Sequence, residues 1–190
     1  MSPRLILASA SPRRVEMLAR LGIVADAVDP ADVDEGWTAA ELPGPHASRL
    51  AMAKAAVVAT RHPDAVVLAA DTVVAVGRRV LPKTETEAEA RQCLTLLSGR
   101  RHRVFTGVTL VAAGKAHHRL STTAVTFKRF DGGEIDAYLA TGEWRGKAGG
   151  YAIQSRAEAY VRAISGSWSG IVGLPLFETR ALLKAAGFDV

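Results

Sequence analysis

The residues from Ser9 to Arg14 combine two hydroxyl groups, a proline and two guanidinium groups in the order Ser-Ala-Ser-Pro-Arg-Arg. They follow an apolar run of strand length and precede a run of helical composition, so Ser11 is predicted as the N-cap and Pro12 as the first helical residue. Backbone amides at a helix N-terminus attract anions, and hydroxyl and guanidinium groups beside them would form a cradle for phosphate or carboxylate. The alternative is an ordinary helix start with both arginines in solvent. No Walker sequence (G-x-x-x-x-G-K-[ST]) occurs, so the segment is not a P-loop.

A second candidate is Asp71, which follows Ala69-Ala70 in an apolar run of strand length. Ligands in open α/β sheets bind beyond the carboxyl ends of strands, a position that favours a catalytic or metal-binding carboxylate. The alternative is an aspartate that caps the following turn. Further groups could join it: carboxylates in a polar loop and two lysines near element boundaries, although the sequence does not establish their proximity. These are Asp32, Asp34, Glu35, Lys54 and Lys83.

The sequence argues against several other kinds of catalytic or metal-binding site. Gly166–Gly170 reads Gly-Ser-Trp-Ser-Gly and lacks the central serine of a nucleophile elbow. His117 and His118 are adjacent in a predicted hairpin, where neighbours point to opposite faces, so they are poor co-ligands and are expected to be exposed turn residues. His102, after Ser98-Gly99-Arg100-Arg101, is either a site residue or a histidine that bonds a neighbouring loop, and the second is expected. Cys93 is expected to pack as a small apolar residue.

The composition limits the kinds of protein to which this chain could belong. With 190 residues, 48% of them hydrophobic, the chain is expected to form a single domain over residues 1–190. The formal charge of +5 indicates an anionic partner, but without a run of basic residues nucleic acid is not expected as that partner. One cysteine excludes an intramolecular disulfide and any cysteine-based zinc site. No stretch approaches the roughly 20 apolar residues of a membrane helix, and the N-terminal apolar run is too short for a signal peptide, so a cytoplasmic protein is predicted.

Strand-like and helix-like segments alternate, which predicts an α/β protein with a mixed sheet flanked by helices. A polar, proline-containing loop or mobile flap is predicted over 29–45. Strands are predicted at 4–8, 23–28, 65–76, 103–112, 120–130 and 160–164, and helices at 11–21, 47–60, 84–97, 134–140 and from about 176 to 186.

Five segments together resemble the Maf family. They are Ser9–Arg14, Ala70–Thr72, Ser98–His102, Lys147–Gln154 and Val172–Pro175, in the family's order within a resemblance from Leu5 to about Leu183. Each motif alone is weak, whereas five in order are specific. The resemblance implies an inosine-triphosphatase-like (HAM1-like) fold, in which a mixed twisted sheet flanked by helices forms two lobes around a central cleft.

The resemblance also implies an activity: hydrolysis of a nucleoside triphosphate to the monophosphate and pyrophosphate with a divalent cation, Mg²⁺ or Mn²⁺. It makes Asp71 the catalytic acid or metal ligand and Glu35 the second metal-binding carboxylate. The pattern Tyr151-x-Ile153-Gln154 resembles the dTTP/UTP branch, and a homodimer is implied. Residues matching the triphosphate site are Ser9, Ser11, Arg13, Arg14, Lys54 and Lys83; residues matching the specificity positions are Arg13, Thr72 and Gln154.

Three positions depart from the family pattern. Thr84 and Gly146 replace a common proline and aspartate, which affects loop geometry. Ser155 replaces a common glycine beside Gln154, which bears on substrate preference. Two other functions stay open: a nucleotide-binding regulator of septum formation and cell division with little turnover, and a house-cleaning enzyme for CTP or modified pyrimidine nucleotides.

Overall fold

The computed structural model describes residues 3–190, which form nine strands and six α-helices. In chain order these are β1 (Leu5–Leu7), α1 (Pro12–Ala19), β2 (Ala27–Val28), α2 (Pro43–Arg61), β3 (Val66–Val76), β4 (Arg79–Leu81), β5 (Lys83–Thr84), α3 (Glu87–Leu97), β6 (Arg101–Ala112), β7 (Lys115–Phe127), α4 (Gly132–Leu139), β8 (Lys147–Ala148), β9 (Val161–Ser165), α5 (Trp168–Val172) and α6 (Leu176–Ala185). A 3₁₀ turn, Arg156–Tyr160, precedes β9.

The main sheet has the order β2-β1-β3-β6-β7-β9, with β4 added to β3. Strand β1 is parallel to β2 and to β3, whereas β3, β6, β7 and β9 are antiparallel neighbours. Strands β5 and β8 form a separate two-stranded sheet. The predicted mixed sheet is therefore confirmed.

Strand β3 has one continuous edge and one divided edge. On one side it pairs with β6 from Val67 to Ala75. On the other it pairs with β1 over Val66–Leu68 and with β4 over Val74–Val76, and no described strand pairs with Ala69–Val73 in between. This division opens a cleft between two parts of the sheet, with Asp71 at its floor. Asp71 therefore lies in the middle of β3 and not at the end of a strand, where the apolar run before it predicts it.

Helices cover both faces of the sheet. Successive side chains of a strand point to opposite faces, so Val67 and Ala69 pack toward α2, while Leu68 and Ala70 join the larger core on the other face. That core contains residues of α1, α3, α4 and α6. The same alternation directs Asp71 toward α2 and Thr72 toward the opposite layer.

Gly107 allows α2 to approach the sheet closely. It pairs with Asp71 across the β3–β6 ladder, and a Cβ atom at this position would lie 2.6 Å from the carbonyl oxygen of Ala47 and 3.1 Å from the Cα of Ser48. Because these are backbone atoms of α2, only glycine permits this separation of helix and strand.

Several element bounds differ from the predictions. Helix α2 begins at Pro43 rather than at 47, because a proline in the first turn needs no hydrogen-bonded N–H. The strand predicted over 23–28 is confined to Ala27–Val28. The helix predicted from 84 begins at Glu87, since Thr84 pairs with β8 and donates its hydroxyl to the carbonyl of Trp144 at 2.7 Å.

The predicted hairpin around Gly114 is confirmed, but β7 already starts at Lys115. His117 is exposed as expected, but it lies in β7 and not in the turn. The expectation for His118 is wrong: it is partly buried, and its ring nitrogens lie 2.9 Å from Thr109 Oγ1 and 3.0 Å from Ser48 Oγ. Among the described helices, none combines the length and apolar character needed to cross a membrane.

Candidate active site

The divided edge of β3 opens into a cavity of about 450 Å³. It lies beyond the end of β1 and at the start of α1. Strand β1 is on one side of it, and β4 with the small β5–β8 sheet is on the other. Ten of the side chains named from the sequence line this cavity: Ser9, Ser11, Arg13, Arg14, Glu35, Lys54, Asp71, Thr72, Lys83 and Gln154. Asp32 and Asp34, which the sequence also offered as carboxylates near Asp71, are exposed and do not line it.

The start of α1 is fixed by Ser9 and Arg14. Ser9 Oγ accepts hydrogen bonds from the Ser11 amide at 3.2 Å and from Arg14 Nη1 at 3.0 Å. Arg14 Nε donates to the carbonyl of Gly173 at 2.8 Å, which ties α1 to the end of α5. Burial lowers the pKa of Arg14, and the negative charge of Asp71 opposes that shift. The predicted N-cap is at Ser11, but its hydroxyl makes no capping hydrogen bond.

Lys54 joins the two carboxylates of the cleft. Its Nζ lies 2.6 Å from Asp71 Oδ1 and 2.5 Å from Glu35 Oε1, and Glu35 Oε2 accepts from Lys83 Nζ at 2.8 Å. Asp71 is only 4% exposed, so its charge needs this partner. Burial alone would raise the pKa of Glu35, but its hydrogen bonds to Lys54 and Lys83 outweigh burial and hold the pKa at about 2.

The positive charge of the cleft is unevenly placed. The lysines Lys54 and Lys83 face two carboxylates, so that half is close to neutral. On the other side, Arg13, Arg145 and Lys147 have no carboxylate within 4.0 Å among residues 3–190. Burial and the nearby charge of Arg13 lower the pKa of Lys147.

Arg145 and Lys147 are cleft residues that the sequence interpretation did not assign to the site. Arg145 lies over the ring of Trp144 at 4.6 Å, and Lys147 Nζ donates to the Arg145 carbonyl at 2.9 Å. The sequence offers one indication of their role, since both are basic and flank Gly146. That they lie across the cleft from the Ser9–Arg14 segment is evident only from the fold.

Thr72 and Gln154 lie at different depths. Thr72 Oγ1 is 3.1 Å from Thr106 Oγ1, which donates to the carbonyl of Gly170 at 2.8 Å, so Thr72 belongs to a buried hydroxyl network. Gln154 is exposed in an irregular segment. The neighbouring Ser155, which departs from the family pattern, donates its hydroxyl to Glu143 at 2.8 Å and so fixes the end of that segment.

The loop that carries Glu35 is anchored to α2. Arg49 donates to the carbonyl of Gly36 at 2.7 Å and to Glu41 at 2.8 Å. The ring of Trp37 stacks on His46 with centroids 3.5 Å apart. The predicted loop over 29–45 therefore contains a bonded arrangement that presents Glu35 to the cleft, and its last three residues belong to α2.

Glu35 and Asp71 are the residues that could hold a divalent cation. No group of three or more histidine, cysteine, aspartate or glutamate side chains is placed to bind a metal ion within the described part of the chain. Two carboxylates are nevertheless sufficient for Mg²⁺, which keeps several waters and completes its shell with substrate phosphates. The donor set fits that mode of binding.

Comparisons with known proteins give the family and the fold of the chain. The family model for Maf-like proteins matches residues 4–186. The chain is 63% identical to a protein of Paramagnetospirillum magneticum named dTTP/UTP pyrophosphatase, over 97% of each chain. It is 59% identical to a Rhodospirillum rubrum protein of the same name, over 97% of this chain and 88% of the relative. The structure of a HAM1 protein from Coxiella burnetii superimposes with a TM-score of 0.55 at 15% identity, covering 97% of this chain and 100% of that one. This likeness shows a shared fold, as expected.

Proposed function

The chain belongs to the family of Maf-like proteins, and from that membership we propose that it is a nucleoside triphosphate pyrophosphatase that converts dTTP and UTP to the monophosphate and pyrophosphate. The observation that carries the proposal is the convergence of a helix start, basic side chains and two carboxylates on one cleft. The names of the two relatives support the choice of dTTP and UTP.

The charge of the cleft suits a triphosphate. Six basic side chains and two carboxylates line it, which leaves a net charge of +4. A nucleoside triphosphate carries a comparable negative charge near neutral pH. Arg13, Arg14, Lys54 and Lys83 would bind the phosphates together with Ser9 and Ser11, and we add Lys147 because it has no carboxylate partner among the described residues.

Asp71 is the residue we assign to proton transfer. Its Oδ1 atom is bonded by Lys54, which orients the carboxylate and leaves the second oxygen to accept a proton from water. The water oxygen would form a bond to the α-phosphorus, and the bond from that phosphorus to the bridging oxygen would break. Basic side chains would stabilise the charge on the departing pyrophosphate, as in other phosphoryl-transfer sites.

Glu35 and Asp71 would hold Mg²⁺ or Mn²⁺, which supplies Lewis-acid polarisation of a phosphoryl oxygen when bound. Lys54 and Lys83 contact the same carboxylates, so they would keep these groups oriented between turnovers. Arg13, Thr72 and Gln154 are proposed to read the base. Family membership further supports a homodimer in the cytoplasm, which light scattering of the purified protein and cell fractionation would test.

A panel of nucleoside triphosphates tests the proposal. Pyrophosphate release is measured with dTTP, UTP, CTP, GTP and ATP, with Mg²⁺, with Mn²⁺ and with a chelator. We expect the highest kcat/KM for dTTP and UTP and loss of turnover with the chelator. Tight binding of dTTP without pyrophosphate release from any member would instead support a nucleotide-binding regulator, and a strong preference for modified pyrimidines would support a house-cleaning role.

A further inference from the structure

His102 forms a buried hydrogen bond with a wall of the cleft. It is 1% exposed in β6, and its Nε2 lies 2.8 Å from the hydroxyl of Tyr151, which lines the cavity. Burial lowers the pKa of His102 to about 4, so the ring is neutral near pH 7. No other hydrogen-bond partner of the Tyr151 hydroxyl is present among the described residues.

The other ring nitrogen of His102 is unsatisfied. Nδ1 is buried and has no hydrogen-bond partner among the described residues. A buried polar atom without a partner destabilises the folded protein, so this imidazole is a poor choice for stability alone. The ring packs against Phe127 at 5.2 Å and Tyr151 at 5.5 Å between centroids, an environment that would accept a phenylalanine. Unlike a hydrocarbon ring, the imidazole forms a hydrogen bond with the Tyr151 hydroxyl.

The segment that begins at Tyr151 is not part of a sheet. Residues 151–155 are in neither strand nor helix, so side chains fix their position. The Ala152 amide donates to the hydroxyl of Tyr138 at 3.0 Å, and Ser155 is bonded to Glu143. The bond from His102 is the third of these side-chain contacts. Between these contacts lies Gln154, which faces the cleft.

We propose that His102 is a positioning residue for base selection, which sets the placement of the Tyr151–Gln154 segment through its hydrogen bond to the Tyr151 hydroxyl. The inference rests on the proposed function, because it concerns how the same cleft distinguishes bases. Its effect is on substrate binding rather than on the reacting atoms, so KM should change more than kcat.

The test compares three variants. His102→Phe keeps a ring of similar shape and removes the bond, whereas His102→Gln restores a polar group at similar reach. Phe127→Leu is the matched control, since it loosens the packing of the same rings without removing a polar atom. For each variant the melting temperature is recorded, with KM and kcat for UTP and GTP.

We expect His102→Phe to melt at or above the wild-type temperature and to lose about tenfold in discrimination between UTP and GTP, mainly through KM, as the loss of one hydrogen bond allows. His102→Gln should recover part of that discrimination. Phe127→Leu should melt lower and discriminate as the wild type does.

Unchanged discrimination in His102→Phe, or an equal loss in Phe127→Leu, would overturn the proposal. If His102→Phe does not fold, Tyr151→Phe removes the same bond from the other side and decides between the outcomes. If the wild type releases no pyrophosphate, the proposed function fails, and affinities for α,β-imido-UTP and α,β-imido-GTP then test the positioning role separately: equal selectivity of wild type and variant overturns it.

Discussion

Lys54 holds the centre of the site because it contacts both carboxylates. It is itself 8% exposed and meets Asp71 and Glu35 at 2.6 and 2.5 Å. Loss of Lys54 would leave the buried Asp71 carboxylate without its cation, whereas Glu35, whose side chain is 42% exposed, would keep Lys83.

Asp71→Asn should abolish most of the turnover while the protein stays folded. The amide oxygen can still accept from Lys54, but the side chain can no longer accept a proton, so kcat should fall by roughly 10²- to 10⁴-fold. Pyrophosphate release and the melting temperature are the measurements. Asp32→Asn, in the exposed part of the loop, is the control and should retain activity. Wild-type turnover in Asp71→Asn would contradict the assignment.

Lys147→Ala should raise KM for dTTP about tenfold with a smaller change in kcat, because a cation without a carboxylate partner in the free protein is available to a phosphate. The comparison is with Lys115→Ala, which removes an exposed lysine at the start of β7. Similar KM values in the two variants would argue against a phosphate contact by Lys147.

Glu35→Gln should change how stability responds to acid. The folded-state pKa of Glu35 is about 2, below its ordinary value of 4.5, so its contribution to stability is fully present above pH 4.5 and is lost as the pH falls toward 2. The stability difference between wild type and Glu35→Gln should therefore shrink on acidification through this range. Urea unfolding at pH 6, 4 and 3 measures it, with Glu85→Gln as an exposed control; a constant difference would show that Glu35 is not stabilised in this way.

At the scale of elements, the close contact between α2 and the sheet brings Lys54 to Asp71. Gly107 lies opposite Asp71 in β6, directly beneath α2. Helix and strand therefore depend on one another: the strand supplies the carboxylate, the helix supplies its partner, and the missing side chain at 107 sets their separation.

Gly107→Ala should displace α2 and weaken both fold and activity. The added methyl group would meet the Ala47 backbone at 2.6 Å, so the helix must move, at a cost of about 1–3 kcal/mol. Denaturant unfolding and kcat report the two effects. Gly132→Ala is the matched control, since a Cβ there meets nothing within 4 Å. Equal stability of the two variants would refute the close-contact argument.

For the whole molecule, the cleft separates two parts of one sheet that share β3 and β6. A triphosphate bound there would contact α1 on one side and the lysines of β5 and β8 on the other. A ligand that bridges both parts stabilises the folded state by mass action.

The non-hydrolysable analogue α,β-imido-dUTP should raise the melting temperature. At a concentration of 100 times Kd the gain is about 2.7 kcal/mol, or roughly 5–10 °C for a protein of this size. Uridine, which lacks phosphates, should produce a much smaller shift at the same concentration. Equal shifts from both compounds would mean that the phosphates do not contribute to binding.

The residues alone predicted the α/β class, the mixed sheet and the hairpin at Gly114, while the resemblance to the Maf family completed the set of ten predicted residues that line the cleft. Local chemistry explains why the elements could be predicted: Ser11-Pro12 starts a helix, and a continuous apolar run predicts β3. The sequence did not predict strand Lys83–Thr84. Its two residues are too few to show the hydrophobic pattern of a strand, and they are held in place by pairing with β8.

Which charges in the cleft are neutralised depends on tertiary packing. Lys54, Glu35 and Asp71 are far apart along the chain, and their bonds depend on how α2 and a loop pack against β3. The same packing left Lys147 without a carboxylate among the described residues and placed His102 behind Tyr151. The periodicity of a sequence predicts on which face of a helix or strand a side chain lies. It does not predict the distance from that side chain to those of other elements, because this distance depends on how the elements pack.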